Sequence, residues 1–533
     1  MDATAELTGK PASNDYTSRP GALIWFFHKS RDRWKKKHQD LRATVKGFKN
    51  QIAAVTKSRE QWRLKAEQAS QRVFELEAEV AALQAQVAIQ TKKKTEEQSG
   101  PLKLTQTEQS VPCGQQYPTV VAYWFVSLVL SCGASLRCAA KVLGWFLDKA
   151  EGHDQTEPAR STGRMWLLRI GLAALLRPKV IATDWVWLVD HSIQIGRCKV
   201  LVILGVRLSD FPQGQPLCHR DMELIALVPM ISSTKDTVAV CLEDAVAKTG
   251  VPRAILDDHG ADLHGGVEIF RQAHPETDEF YDVKHKAACL LKGRLEGDPQ
   301  WKAYATQLGQ TKFALQQTTL ACLTPPSQRS KARFMNLDAL VDWGVGTLAL
   351  MNDRSRMEQL ELPVELVRTK LGWLEEFRAP LEEWSAYLAM INGTLDLVRC
   401  RGLTVSVGRE LEATLPPAAG SVGELREKLI EFVVDESSKV RQGERLPGTT
   451  EVLESCFGKL KALEDGQSKS GFTGLVLSVG AMVSNWTTET IHQALERCGV
   501  QDVLDWCRKN LGTSVQSQRR RAYATIEGAT NPG

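Results

Sequence analysis

Two interleaved seven-residue registers of apolar positions run through residues 24–87. One carries Val45, Ile52, Ala66, Val73, Val80 and Val87; the other carries Phe27, Trp34, Leu41, Phe48, Val55, Trp62, Ala69, Leu76 and Leu83. Seven residues close two helical turns, so this pattern predicts a long coiled-coil helix over 24–90 that can pair with a second copy. Inside it SRDRWKKK from Ser30 returns as SREQWRLK from Ser58, an offset of 28 residues or four heptads, so both copies present one face. Arg31 and Arg59 then fall on the seam, where a cation weakens apolar packing. Either the repeat sets register and meets phosphates, or the helix is a plain dimerisation rod.

The flanks of this helix lack any such pattern. Residues 1–23 read as a disordered start, and TKKKTEEQSGPLKLTQTEQSVP makes 91–116 a polar linker that cannot bury much surface. Over 117–177 the pattern turns helical again. TVVAYWFVSLVLSCGA from Thr119 is near the lower length limit for a membrane span and contains serines, so it is expected to be a buried helix. SLRCAAKVLGWFL from Ser135 and ARSTGRMWLLRIGLAAL from Ala159 follow as a helix pair around a polar break.

Beyond Pro178 the chain changes to strand texture. WVWLVDHSIQI, KVLVILGVRL and ELIALVPMI, starting at Trp185, Lys199 and Glu223, are β-rich runs separated by breakers. A helix, a short strand PRAILDD from Pro252, a helix near Leu263, a strand EFYDV from Glu279 and the helix KHKAACLLKGRL follow. Three strands and then alternating helices and strands predict an α/β core over 178–296, first a meander and then parallel strands joined by crossovers. An acid among apolar strand residues is costly unless paired or metal-bound, which singles out Asp190, with Asp184 at the strand entrance as the alternative. At the end of the crossover strand, where ligands meet parallel sheets, Asp257 and Asp258 point to opposite faces. Asp262 is suited to capping the next helix or supporting such a site.

From 297 to 447 the texture is helical, most clearly in WLEEFRAPLEEWSAYLAMI from Trp373. Residues 448–512 resume with TTEVLESCFGKLKALE, where Glu454 and Lys461 lie two turns apart on one helical face and Glu451 is the competing acid. Residues 513–533 are a basic tail containing QRRRA at Gln518.

Charge refines this picture. Residues 28–65 hold 13 Lys or Arg against 3 Asp or Glu, a local excess of +10; the net charge of +4 then leaves the remainder near −6. A polyanion-facing arm on an ordinary body, or a solvated coiled-coil face, fits that asymmetry. The 12 cysteines form no CxxC pair, which points to a reducing cytoplasmic setting without a zinc ribbon or disulfide framework. No leader-like start is seen and no membrane partner is expected. The chain also lacks GxxxxGK[ST], HExxH and GxSxG, so nucleotide hydrolysis, zinc peptidase and α/β-hydrolase chemistry are unsupported.

The strand context of Asp190, the turn Asp258-His259-Gly260 and the spacing of Glu454 to Lys461 together resemble the RNase H-like, three-carboxylate (DDE) transposases of bacterial insertion sequences. The Tyr and Arg that precede the glutamate in one subgroup are not matched; Thr450 stands at the Arg position. The resemblance covers roughly residues 130–510. It implies an RNase H-like mixed sheet with a large α-helical insertion, preceded by a helix-turn-helix and the coiled coil. It favours Asp258 over Asp257 and makes Asp190, Asp258 and Glu454 the catalytic ligands of two Mg²⁺ or Mn²⁺ ions. Such ions, about 4 Å apart, activate the attacking oxygen and stabilise the leaving one. The partner would be double-stranded DNA, both transposon ends and target, in a bacterial, nucleoid-associated location. Arg160, Ser161, Thr162 and Arg164 would lead a recognition helix into the major groove, against the alternative of a structural hairpin. Lys461 would hold a phosphate, the Lys and His of DVKHKAA, with Asp282 and His285, would contact DNA unless they are plain surface residues, and Trp343, Trp373 and Trp384 of the insertion would stack on bases unless they are core. The 196-residue gap from Asp258 to Glu454 is what implies the insertion. A nuclease without strand transfer, or an inactive coiled-coil DNA-binding descendant, are the competing functions.

Overall fold

The computed structural model describes residues 105–149, 157–191, 199–212, 214–328, 337–465 and 473–513, with shorter pieces in 19–63, at 334 and in 518–523. Two compact units divide at Lys103 and Leu104.

In the first unit residues 24–42 are helical. Trp25, Phe27, Trp34 and Leu41 are exposed along that helix, and Arg31 pairs with Asp32 at 3.2 Å. Arg59 is helical and exposed; most of the second SREQWRLK copy and the apolar seam from Val45 onward lie outside the described residues, as do positions 1–18.

The second unit opens with an ordered segment where a linker was expected. Thr105 and Glu108 form a capping box around the helical turn Gln106–Gln109. Ser110 and Thr119 both reach His492 Nδ1, at 3.2 and 2.7 Å, and Gln115 accepts from Trp166 Nε1 at 2.9 Å. Polar side chains here find partners on the folded body, a gain that composition does not reveal. The 91–104 part of the expected linker is outside the described residues.

Helices α1 (Thr119–Leu130), α2 (Leu136–Lys149) and α3 (Arg160–Leu176) follow. No helix among the described residues is long and apolar enough to cross a membrane. Helix α3 departs from the expected recognition helix: Trp166 to Leu172 are all buried. It serves two cores, Leu168 and Leu172 facing the sheet and Trp166, Leu167 and Ile170 facing α1 and α2. At Gly171 a Cβ would lie 1.8 Å from the carbonyl of Leu477, so the backbone of 474–482 crosses α3 where only glycine fits. The middle of this helix is covered on both sides, while Arg160 and Ser161 at its leading end are exposed.

Strands β1 (Trp185–His191), β2 (Lys199–Arg207), β3 (Glu223–Met230), β4 (Ala254–Asp257) and β5 (Asp278–Tyr281) form one mixed sheet in the order β3-β2-β1-β4-β5. The first three are antiparallel; β4 and β5 join in parallel. Their near-continuous apolar runs reflect burial on both faces. One face carries Trp187, Val189, Ile203 and Ile255 under helices α4 (Lys235–Thr249) and α5 (Ala261–Ala273). Val186, Leu188, Val202 and Leu256 line the other. That second face is covered by α3, by α6 (Val283–Leu295) and by the later α11 (Glu451–Asp465).

Between them the described residues are helical apart from turns and one isolated bridge. It includes α7 (Pro299–Leu315), α8 (Asp338–Asn352), α9 (Arg378–Arg401) and α10 (Gly420–Ser438). Arg253 ties this block to the sheet: its buried guanidinium meets Asp278 at 2.6 Å and Glu444 at 2.7 Å. After α11, helices α12 (Thr488–Arg497) and α13 (Val500–Leu511) pack against α3. Arg169 of α3, buried, donates to the carbonyls of Leu495 and Cys498 at the end of α12 and satisfies groups that a helix terminus leaves open.

Candidate active site

β1 and β4 bring the first two carboxylates together by register. Leu188 faces Leu256 across the parallel pair. Two residues further on, Asp190 and Asp258 are therefore neighbours at the carboxyl ends of their strands, on the face carrying Leu188 and Leu256. Both are half-buried. Asp190 accepts the amide of His191 at 2.6 Å, and Asp258 accepts the amide of Gly260 at 2.9 Å. The turn that follows is tight: His259 is left-handed at φ 55°. A Cβ on residue 260 would sit 3.1 Å from Asp258 Oδ1, a tight contact that would shift that carboxylate.

The third carboxylate arrives from far along the chain, and a specific clasp delivers it. Asp282, buried at the end of β5, caps α6 through the amide of His285 at 3.0 Å. Its other oxygen accepts the amide and the hydroxyl of Thr450, at 2.8 and 2.5 Å, and the Val283 amide donates to Gly448 at 3.0 Å. Thr450 immediately precedes α11, so the clasp fixes the helix start and places Glu454 one turn in. Lys284 donates to Glu454 at 2.7 Å and lies 3.1 Å from Glu451.

The electrostatics report the convergence. Asp190 is pushed well above the usual carboxylate range, first by burial and then by the carboxylates of Asp258, Glu454 and Asp282. The Lys284 ammonium, although burial works against it, is held above its ordinary value by Glu454 and Glu451.

The competing acids are engaged elsewhere. Asp184 lies at the opposite end of β1, where burial raises its carboxyl but the bonds from Arg207 and Ser209 outweigh that and hold it low. Glu451 makes a two-pronged pair with Arg399, 2.7 Å on each oxygen. Burial pushes the Glu451 carboxyl up, and Arg399 and Lys284 more than reverse it. Asp257 is fully buried and turned to the other face. Asp262 does not cap α5, whose preceding residue Gly260 has no side-chain cap; it pairs with Lys199 at 3.0 Å and is held at about 2, bonds from Ser233 and Lys199 outweighing burial.

Several expected DNA contacts change place. Arg164 is half-buried and faces Glu464, burial holding its guanidinium below the ordinary value against that carboxylate. Arg160 is exposed and lines a cleft with Arg137 and Lys459, while Lys461 is exposed on α11. Trp384 is buried and meets Trp301 edge-on at 5.0 Å; Trp343 and Trp373 stack at 6.4 Å, with Trp343 Nε1 bonded to the Leu323 carbonyl. Trp384 is core of the helical block, and Trp343 and Trp373 are partly buried against it. Lys284 and Thr450 were not recognised from sequence. Their roles depend on contacts with residues about 170 positions away, for which only the DVKHKAA segment gave a signal.

No protein-family model matches the chain, and no curated protein matches it. Among solved structures, a Drosophila P element transposase strand transfer complex is similar to it at 11% identity and a TM-score of 0.33, the overlap covering 77% of this chain and 99% of that one.

Proposed function

We propose that this chain is an RNase H-like, DDE-type DNA transposase that cuts and joins strands at Asp190, Asp258 and Glu454. The observation that carries the reading is the convergence of these three carboxylates, from two adjacent parallel strands and a helix 196 residues beyond the second strand, on one rim of the sheet. Burying like charges together is unfavourable without a cation, so the convergence of the three carboxylates suits a divalent ion. The donor set is all oxygen, which suits Mg²⁺ or Mn²⁺. Two such ions would supply activation of the attacking oxygen and stabilisation of the leaving one.

The chain's own residues have distinct parts in this scheme. Asp190 and Asp258 hold the ligand positions on a rigid sheet edge, with the His191 and Gly260 amides fixing their carboxylates. Glu454 is the third ligand, and Lys284 balances its charge. Asp282 and Thr450 orient α11 without entering the site. Arg137, Arg160 and Lys459 offer a cationic cleft to DNA phosphates, which contribute affinity independent of sequence.

The test is strand cleavage, with Mg²⁺ or Mn²⁺, of DNA spanning the junctions that flank the coding region. A product with a free 3′ hydroxyl that then joins a second duplex supports transposition. Cleavage without joining reduces the reading to a nuclease, and metal-independent or absent cleavage contradicts it.

A further inference from the structure

The strand ends that carry Asp190 and Asp258 have a second cluster on the opposite face, of different chemistry. His259, His264 and Glu279 each bring a ligand atom within 4.8 Å of the others. His264 Nδ1 and His259 Nε2 lie 2.7 and 3.6 Å from the same oxygen, Glu279 Oε1. Glu279 is buried on β5, in the position paired with Ile255 of β4, and so shares the face of Ile255 and Asp257.

One atom in this cluster lacks what burial requires. His259 Nε2 is buried without a hydrogen-bond partner, and Asp257, with 0% exposure, packs beside Glu279. Buried polar atoms are nearly always satisfied, so an unpartnered ring nitrogen beside two buried carboxyl groups points to a cation. The rings are also held in place. His259 stacks on Tyr281 at 4.1 Å and 3° and on His264 at 4.5 Å. Its left-handed backbone is secured by Asp257 Oδ1, which accepts the His259 amide at 2.6 Å. On the far side His264 Nε2 faces Glu268 at 3.7 Å, and Glu279 Oε2 faces Arg271 at 3.9 Å. A carboxylate on the far nitrogen of a ligating imidazole is the usual support of a metal site.

We propose that His259 Nε2, His264 Nδ1 and Glu279 Oε1 bind a zinc ion, with Asp257 beside Glu279 and a water or that carboxylate in the fourth position. Two imidazoles and one carboxylate select zinc over magnesium, which prefers oxygen donors. Bonds of about 2.0–2.1 Å in a tetrahedron place ligand atoms roughly 3.3 Å apart, so the 3.6 Å pair already fits, the 2.7 Å pair opens by roughly 0.6 Å, and the two histidine nitrogens, within 4.8 Å of each other, settle to that spacing. The ion would lock the turn from Asp257 to Gly260. The site stands whether or not Asp258 acts on DNA.

The experiment uses the full chain, stripped with chelator and kept in millimolar Mg²⁺ so that oxygen-rich positions are occupied, and titrated with Co²⁺ and with Zn²⁺. One equivalent is expected to bind and to give the intense visible absorption of four-coordinate Co²⁺, displaced by Zn²⁺, with a rise in melting temperature. His264→Ala and Glu279→Gln are expected to weaken Zn²⁺ binding at least about tenfold while Asp190→Asn leaves it unchanged. Absence of the visible band in the wild-type chain overturns the proposal without any variant. Binding that survives both substitutions, or that is lost in Asp190→Asn, overturns it as well.

Discussion

Asp257 and Asp258 are consecutive in sequence and occupy opposite environments. Asp258 lies half-buried on the face shared with Asp190 and Glu454, its carboxylate held by one amide and otherwise turned to a rim where charges meet. Asp257 is sealed against Glu279, and its carboxyl is pushed up to about 9, by burial first and then by that neighbouring carboxylate. Strand alternation alone creates the difference. The lesson is that burial and alignment, more than the presence of an acid, separate a ligand position from an internal one.

The sharpest way to break this contrast is to remove the rim acids singly. Asp190→Ala and Glu454→Ala are each expected to lower metal-dependent cleavage at least about a thousandfold, or about 4 kcal/mol of barrier. Glu451→Ala, one turn away and paired with Arg399, should stay within about tenfold. Initial rates on one DNA substrate check this, and equal losses at 451 and 454 would remove Glu454 from its place.

A smaller effect is expected from the clasp. Thr450→Val leaves the fold but deprives Asp282 of a hydroxyl donor, a loss of about 1–3 kcal/mol for a buried charged bond. Cleavage should fall about tenfold, and metal affinity measured by Mn²⁺ titration should fall with it, because α11 no longer fixes Glu454.

The other face gives a pH signature. A carboxyl whose folded pKa is raised binds its proton more tightly in the folded state, so its contribution is full below the unfolded pKa and is lost as pH rises through about 9. Stability of the metal-free chain should therefore fall from about pH 4 to about 9, by at most about 1.4 kcal/mol per unit from this group. Asp257→Asn should flatten that fall, as read by denaturant midpoints. The smallest effect sharpens the rim: Asp190→Asn removes one of the crowded charges and should raise the metal-free melting temperature by on the order of 1 °C while abolishing cleavage.

What the sequence disclosed follows from how local each signal was. The five strands stand where Val-, Ile- and Leu-rich runs predicted them, since strands buried on both faces leave a continuous apolar imprint. The companionship of Asp190 and Asp258 was accessible for the same reason. The burial of α3 was not legible because Arg169 in its middle is satisfied by carbonyls at the end of α12, more than 320 residues on. Likewise 105–116 resembled a linker because its stabilisation comes from His492 and Trp166. The histidine and glutamate cluster joins two strand ends and a helix that show no ligand spacing in sequence.

The central claim is that one face of the sheet edge handles DNA and the other does not, and the tandem aspartates test it most directly. Mn²⁺-dependent cleavage of junction DNA should be compared between Asp258→Asn and Asp257→Asn, with folding of both verified by thermal melting. The account predicts a loss of at least about a thousandfold for Asp258→Asn and less than about tenfold for Asp257→Asn. Full activity in Asp258→Asn, or a greater loss in Asp257→Asn, would contradict it.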